Sequence, residues 1–488
     1  MTQQELEKYL WGAAKILRGT IDAGDYKQYI FPLLFFKRIC DVYEEEFENA
    51  LKESDGDMEY AAFAENHHFQ VPEQSHWNTV RETTTNVGMA LQNAMREIEK
   101  ANPDTLYGIF GDASWTNKER LSDATLINLI EHFSKQKLNL SAVADDKLGN
   151  AYEYLIKEFA DDSGHTAAEF YTNRTVVKLM TKIMDPQPGE SVYDPTCGSG
   201  GLLLNCALHL KEEGKEYRTL RLYGQEINLI TSAIARMNMF MHGIEEFSIV
   251  RGDTLAQPAF LEHDELKKFN VILANPPYSI KAWDRKGFEN DPYGRNAWGT
   301  PPQGCADYAF QQHIQKSLDE RNGRSISLWP HGILFRESEG EMRKKMIEAD
   351  LVECVIGLGP NLFYNSPMEA CLLITKTNKS EERKGKVLFI NAVHEVKQEK
   401  TIGYLLDNHL DRIFEAYQRF EDIDNFAAVV SIDDILDNKG NMAISLYVRP
   451  EKAEADSILP FPLAYENWES QGEELKSSMN QLFEILKG

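Results

Sequence analysis

Four polar residues, each closing a short apolar run, constrain this chain of 488 residues more than any other feature. Asp194 ends "SVYD" (191 to 194), Glu226 ends "LRLYGQE" (220 to 226), Asp253 ends "FSIVRGD" (247 to 253) and Asn275 ends "NVILAN" (270 to 275). The gaps are 32, 27 and 22 residues, each about one strand-helix unit. Strands alternating with helical patterns predict an α/β parallel sheet with right-handed crossovers, so all four side chains gather at its carboxyl edge. Open α/β folds bind ligands there. One acid at a strand end is commonly a turn former, whereas four in register point to a ligand.

Between the first strand and its helix lies "DPTCGSGGLLLNCA", with Gly198, Ser199, Gly200 and Gly201. Glycines there let the backbone turn tightly and approach a ligand that a Cβ would exclude. The chain has no GxxxxGK[ST] and the turn lacks GxGxxG, so neither a phosphate-binding loop nor a dinucleotide fingerprint fits. With Glu226 one unit later to accept two ribose hydroxyls, and Asp253 to accept an adenine amino group, the turn describes a pocket for an adenosine-bearing cofactor without phosphates. Asn275 is followed by Pro276, Pro277 and Tyr278. Each proline fixes its own φ and steers the residue before it toward extended geometry. The result is a stiff bracket that presets two acceptors, the Asn275 side-chain oxygen and the Pro276 carbonyl. Two acceptors aimed at one NH2 group draw its nitrogen out of conjugation, and Tyr278 offers an aromatic face to the planar group bearing it.

These motifs resemble the amino-methyltransferases that use S-adenosyl-L-methionine, with the cofactor motif before the catalytic one as in many N6-adenine DNA methyltransferases. More narrowly, "LRGTIDAGDYKQYIFPLLFFKRICD", "AEFYTNRTVVKLM", "DPTCGSGG", "NPPYSIKAW", "WPHGILFR" and "LGPNLFYNSPMEACLLITK" resemble the modification (M) subunit of Type I restriction-modification systems, over nearly the whole chain. The resemblance implies a Rossmann-like methyltransferase sheet and transfer of methyl from S-adenosyl-L-methionine to the exocyclic amine of a flipped adenine. It implies that Glu169, Phe170, Tyr171, Thr172, Asn173 and Arg174 help hold the methionine part of the cofactor, beside Asp194, Gly198, Ser199, Gly200, Gly201, Glu226 and Asp253. The family usually has Pro where this chain has Asn173, which puts the rigidity of that loop, though not its location, in question. Phe310 sits where the family places an aromatic near the target base, beside Tyr278; a place in the core is the other reading. Two rival functions are a protein glutamine-amide N5-methyltransferase, which also uses NPPY, and a non-catalytic assembly scaffold.

The remaining expectations concern organisation and partners. Residues 1–150 read as a mostly helical N-terminal domain, opened by Thr2 and Glu5 at capping-box spacing. Residues 151–450 read as the methyltransferase domain and 451–488 as a C-terminal helical tail, with Leu475, Met479, Leu482, Phe483 and Leu486 on one stripe for subunit docking. Six scattered cysteines without a CxxC pair predict neither a disulfide framework nor a metal site, and Cys197 reads as a small packing residue. No run is long and apolar enough to span a membrane, and the chain opens on polar residues, so a cytoplasmic protein is expected. A net charge of -25 and the absence of room for a large recognition domain argue that other subunits bring the chain to DNA. The family implies a separate specificity subunit, a second copy of the M subunit, a restriction subunit and double-stranded DNA. Lys281, Arg285, Lys286 and Arg295, interleaved with Trp283, Phe288, Tyr293 and Trp298, would line the DNA side; a surface loop is the plainer reading.

Overall fold

The computed structural model describes residues 1–162, 172–362, 369–399 and 402–448, with seven isolated positions beyond them. The expected cofactor residues Glu169, Phe170 and Tyr171 lie outside the described residues, as does most of the C-terminal stripe. Of that stripe only Met479 is described, and it is exposed.

A nine-stranded sheet forms the centre. Its strands are β1 (Ser191–Asp194), β2 (Arg221–Glu226), β3 (Phe247–Arg251), β4 (Val271–Ala274), β5 (Arg324–Pro330), β6 (Val352–Leu358), β7 (Ala370–Lys376), β8 (Lys386–Ala392) and β9 (Ala427–Ser431). In space they run β9-β8-β6-β7-β5-β4-β1-β2-β3. Strands β1 to β5 are mutually parallel along the sheet, and β1 is flanked by β2 on one side and β4 on the other. The chain therefore winds outward from β1 to β3, then returns across β1 to begin β4. That reversal leaves a crevice at the carboxyl ends of β1 and β4, the place where doubly wound sheets take their ligands. The apolar runs are continuous because both faces are covered, and every residue of β1, β4 and β6 is buried.

The four early strands are parallel as expected, and the far side of the sheet adds antiparallel strands. Strand β7 is inserted antiparallel between β5 and β6, and β9 runs antiparallel to β8. Only residues 359–369 join β6 to β7, too few for the dozen or so that a helical crossover needs. The helices Arg174–Met184, Gly201–Glu212 and Leu229–Met241 pack on the sheet through apolar stripes.

The N-terminal region is helical, with long elements at Gln3–Leu17, Lys27–Glu53, Val87–Ala101, Asp123–Phe133 and Asp145–Asp162. Its first helix opens on the expected capping box: Glu5 N donates to Thr2 Oγ1 at 3.2 Å and Thr2 N to Glu5 Oε2 at 2.7 Å. The helix Asp145–Asp162 crosses residue 150 and sends Tyr152, Leu155, Ile156 and Phe159 into the helical core. Ala233, Ile234, Met237 and Met241 from the sheet-covering helix Leu229–Met241 enter that same core, while Ala235 and Met239 enter the core against the sheet. One helix thus packs into both regions.

Candidate active site

The turn after β1 is built mainly by backbone. Asp194 is 1% exposed at the strand end, and its Oδ1 accepts the Thr196 N–H at 3.0 Å. Burial, with Glu226 nearby, pushes its carboxyl up to about 8. Gly198 and Gly200 take positive φ values of 53° and 79°, a region that side chains disfavour, and Gly200 stands at the N-terminus of the helix Gly201–Glu212. A Cβ on Gly201 would lie 2.2 Å from Arg174 Nη1, so the glycine makes room for that guanidinium. Ser199 is buried, and its carbonyl accepts Asn238 Nδ2 at 3.1 Å. Cys197 is buried against Gly224 of β2, and burial pushes its thiol well up, which suits packing rather than nucleophilic attack.

Glu226 closes β2 beside this turn. Its two oxygens accept the N–H groups of Gly198 at 3.1 Å and of Asn228 at 2.8 Å, so the carboxylate ties the glycine turn to the next strand. Asp253 follows β3, one strand further out, and its Oδ1 accepts from Leu255 N and Ala256 N at 2.9 and 3.1 Å. An ionised carboxylate has about four acceptor sites.

Before the first strand, Thr172, Asn173 and Arg174 close on the same crevice. Asn173 caps the helix Arg174–Met184: its Oδ1 accepts Thr175 N at 3.0 Å and Thr175 Oγ1 at 2.8 Å, and its Nδ2 donates to the Gly403 carbonyl at 2.9 Å. Three side-chain bonds thus hold the position where proline was the expected residue. Arg174 forms an ion pair with Glu153 from the helix Asp145–Asp162.

Asn275 follows β4 directly, and β4 lies beside β1, the strand that ends in Asp194. Its Nδ2 donates to Thr172 Oγ1 at 3.0 Å, and its Oδ1 accepts the Tyr278 hydroxyl at 2.7 Å. Pro276 is buried, and Tyr278 is half-buried against an apolar cluster containing Phe310, Trp329 and Ile333. A cleft open to solvent is lined by Thr172, Arg174, Asp194, Gly198, Ser199 and Gly201 together with Asn275. Thr196, Cys197 and Leu202 complete that lining, though the sequence reading gave none of them a ligand role. Only the fold shows them there, because small and apolar turn residues carry no signature of a ligand. Glu226 and Asp253 stand off this lining, Glu226 joined to it through Gly198.

Arg295 is placed differently from the expected DNA side, and Phe310 takes the core place that was its other reading. Arg295 is 2% exposed: its guanidinium pairs with Asp291 at 2.6 Å, donates to the carbonyls of Thr254 and Leu255 at 2.8 and 2.7 Å, and lies over the rings of Phe288 and Tyr293. It is a core residue, and Phe288 is buried with it, whereas Lys281 and Lys286 remain exposed. Phe310 is 5% exposed on the helix Asp307–Lys316, in the same cluster on which Tyr278 packs. Two trios of side chains, Asp185 with His209 and Glu213, and Cys305 with Asp307 and Glu339, have donor atoms within 4.8 Å of one another among the described residues. The first shares its carboxylates with Lys215, and the second surrounds Arg336.

The chain matches two family models, N-6 DNA Methylase over residues 143–456 and HsdM N-terminal domain over residues 6–133. It is 30% identical to the Type I restriction enzyme MjaVIII methylase subunit of Methanocaldococcus jannaschii, across 95% of this chain and 81% of that protein. It is 32% identical to the Type I restriction enzyme HindI methylase subunit of Haemophilus influenzae, across 78% of this chain and 87% of that protein. Among solved structures, a type I restriction-modification system methyltransferase subunit from Streptococcus thermophilus superposes with a TM-score of 0.79 at 30% identity, covering 92% of this chain and 100% of that one.

Proposed function

This chain belongs to the N-6 DNA methylase family, among the methylase subunits of Type I restriction enzymes, and we propose that it methylates the N6 amine of a flipped adenine using S-adenosyl-L-methionine. The observation that carries the reading is the single cleft lined at once by the Asp194–Gly201 turn and by Asn275. A donor site and an acceptor-presenting bracket share one space at the crevice between β1 and β4.

The residues suit that cofactor. Among the described lining residues Asp194 is the one carboxylate and Arg174 the one guanidinium, a pair matched to the ammonium and carboxylate of an amino-acid end. Glu226 accepts the ribose hydroxyls and Asp253 the adenine amino group; Gly198, Ser199, Gly200 and Gly201 keep the wall low, and Thr172 and Asn173 shape the side facing β4. Glu169, Phe170 and Tyr171 complete the methionine end in the same proposal. When bound, S-adenosyl-L-methionine supplies a methyl group on a positively charged sulfur, open to attack by an amine.

The chain's own part is positioning. Asn275 Oδ1 and the Pro276 carbonyl accept the two amine hydrogens of the target, with Pro277 keeping the bracket stiff. The Tyr278 hydroxyl, which now donates to Asn275 Oδ1, gives up that acceptor when the amine arrives, and its ring stacks on the base. A base within a duplex cannot reach this bracket, so it must flip out at a cost of a few kcal/mol, partly recovered by stacking. Holding two reactants in one orientation supplies most of the acceleration such a site can give. Phe310, behind Tyr278, backs the stacking face.

A net charge of -25 gives little attraction to phosphates, so DNA must be delivered. In this reading two copies of the chain flank one specificity subunit on double-stranded DNA in the cytoplasm, and a restriction subunit joins for cleavage. Among the described residues no helix is long and apolar enough to cross a membrane. The test is to purify the chain with its specificity subunit, incubate with duplex DNA and S-adenosyl-L-methionine, and digest to nucleosides. N6-methyladenine at one recognition sequence is the expected product. Methyl label on cytosine or on a protein glutamine would sink the proposal.

A further inference from the structure

Behind the bracket lies a partly buried charge cluster, built on the buried Asp307, that the chemistry above does not use. Immediately after Tyr278, Ser279 takes φ 50°, a left-handed conformation that residues with a Cβ rarely adopt. Its N–H donates to Asp307 Oδ1 at 2.7 Å, from the first residue of the helix Asp307–Lys316. Asp307 is 0% exposed, and its other oxygen pairs with Arg336. Arg336 follows β5, the sheet neighbour of β4, and bonds here through its two Nη groups, while its Nε stands at ion-pair distance from Glu339. Nη1 reaches Cys305 Sγ at 2.7 Å and Ser279 Oγ at 3.5 Å, and Nε reaches Glu339 Oε2 at 3.1 Å. The spacing of Cys305, Asp307 and Glu339 would suit a metal ion, but the guanidinium already supplies the positive charge.

Asp307 is buried and Arg336 partly so, and such an ion pair is a weak source of stability, because desolvation offsets the attraction. Its placement is therefore informative. Strained backbone persists only where the surroundings over-determine it, and the bond from Ser279 to Asp307 does that one residue beyond the bracket. Resting on the reading of Asn275 to Tyr278 as the target-amine bracket, we infer that Arg336 and Asp307 are positioning residues: Arg336 orients Asp307, Asp307 fixes the Ser279 turn, and the turn holds Tyr278 where it can stack on the base. Neither residue lines the cofactor cleft.

The test uses the complex with its specificity subunit and a duplex carrying the site. Misplacing a reacting group by about 1 Å can cost about 100-fold in rate, so Asp307→Ala is expected to lower kcat by about that factor. Asp307→Asn keeps an acceptor for Ser279 and Arg336→Lys keeps the charge without the fork; each should fall by about tenfold. The dissociation constants for cofactor and DNA should stay within about threefold in both, a split that general loss of structure does not produce. Amide exchange at Ser279 should speed up in the same variants, a readout independent of activity. Wild-type kcat in both conservative variants, or unchanged Ser279 exchange, overturns the inference; they serve as the test even if Asp307→Ala does not fold. If exchange speeds up while the unaltered complex makes no N6-methyladenine, the functional reading fails and the clamp stands.

Discussion

The two halves of the site are held in different ways. In the cofactor half, carboxylates of the strand ends are tied by backbone N–H groups: Thr196 to Asp194, Gly198 and Asn228 to Glu226, and Leu255 and Ala256 to Asp253. In the target half, side chains from distant elements do the holding: Thr172 on Asn275, Asp307 on Ser279 and Arg336 on Asp307. Most ties of the first half span two or three residues, Gly198 to Glu226 being the exception. The second exists only after the sheet has closed, because β4 and β5 must lie side by side before Ser279 and Arg336 can meet. A change in the cofactor half should therefore act on binding, and one in the target half on rate.

The sharpest test of that division is Asn275→Ala. Loss of the amine's acceptor should reduce methyl transfer by about 100- to 1000-fold, the scale of removing one preorganised polar group from a reacting centre. Cofactor affinity should hold within about tenfold, since among the described residues the side chain of Asn275 bonds to the donor side through Thr172 alone. Single-turnover rates beside calorimetric cofactor titration measure both. Equal losses would merge the two halves and move Asn275 into the cofactor site.

Glu226→Ala probes the opposite half with a smaller effect. Removal of charge-assisted hydrogen bonds should weaken cofactor binding by about 1–3 kcal/mol. The variant also frees the Gly198 and Asn228 N–H groups, so the glycine turn loses its tie to β2. The rate at saturating cofactor should change far less than the affinity. An unchanged dissociation constant would remove Glu226 from the ribose role.

The same contrast explains what could be read from sequence. Asp194, Glu226, Asp253 and Asn275 were legible because each ends its own apolar run, and regular spacing implied one sheet edge. Asp307 and Arg336 were not, for they lie 28 and 57 residues beyond Ser279, with only the fold to unite them. Arg295 misled for a related reason. Cations interleaved with aromatics suit a nucleic-acid surface, yet Arg295 and Asp291 stand four residues apart and satisfy each other inside, between Phe288 and Tyr293. The antiparallel direction of strand β7 goes with its short connection to β6, which its composition does not signal.

Asp194 allows the binding half to be tuned without mutation. Its carboxyl titrates near 8 in the folded chain against an ordinary 3.8. The raised value means that protonation favours the fold, so this group's contribution to stability is full below pH 3.8 and is lost as pH rises toward 8. A cationic ligand beside Asp194 needs the ionised form, so its affinity should weaken by up to about tenfold per unit as pH falls below that value. Cofactor titration across pH 6 to 9, about the range spanning this value, measures the slope. Asp194→Asn should flatten it, and a flat profile in the unaltered protein would place the positive charge elsewhere.

The smallest effect is expected where the two halves meet, at Asn173. Its side chain caps the helix Arg174–Met184 and ties it to Gly403, so Asn173→Ala should cost about 0.5–2 kcal/mol, the usual range for an N-cap. Asn173→Pro removes the same bonds but restores a fixed φ and takes away unfolded-chain freedom, a gain of about 0.4–1 kcal/mol where the conformation is compatible. The observed φ of -53° lies within proline's reach. Proline should therefore recover part of the stability that alanine loses, measured by thermal melting, and cofactor affinity should follow the same order. If alanine and proline are equally destabilised, the three side-chain bonds rather than backbone stiffness set this loop. Asn173 would then act as a side-chain anchor, and its bond to Gly403 would join that of Gly198 to Glu226 as a long-range contact on which the cofactor half depends.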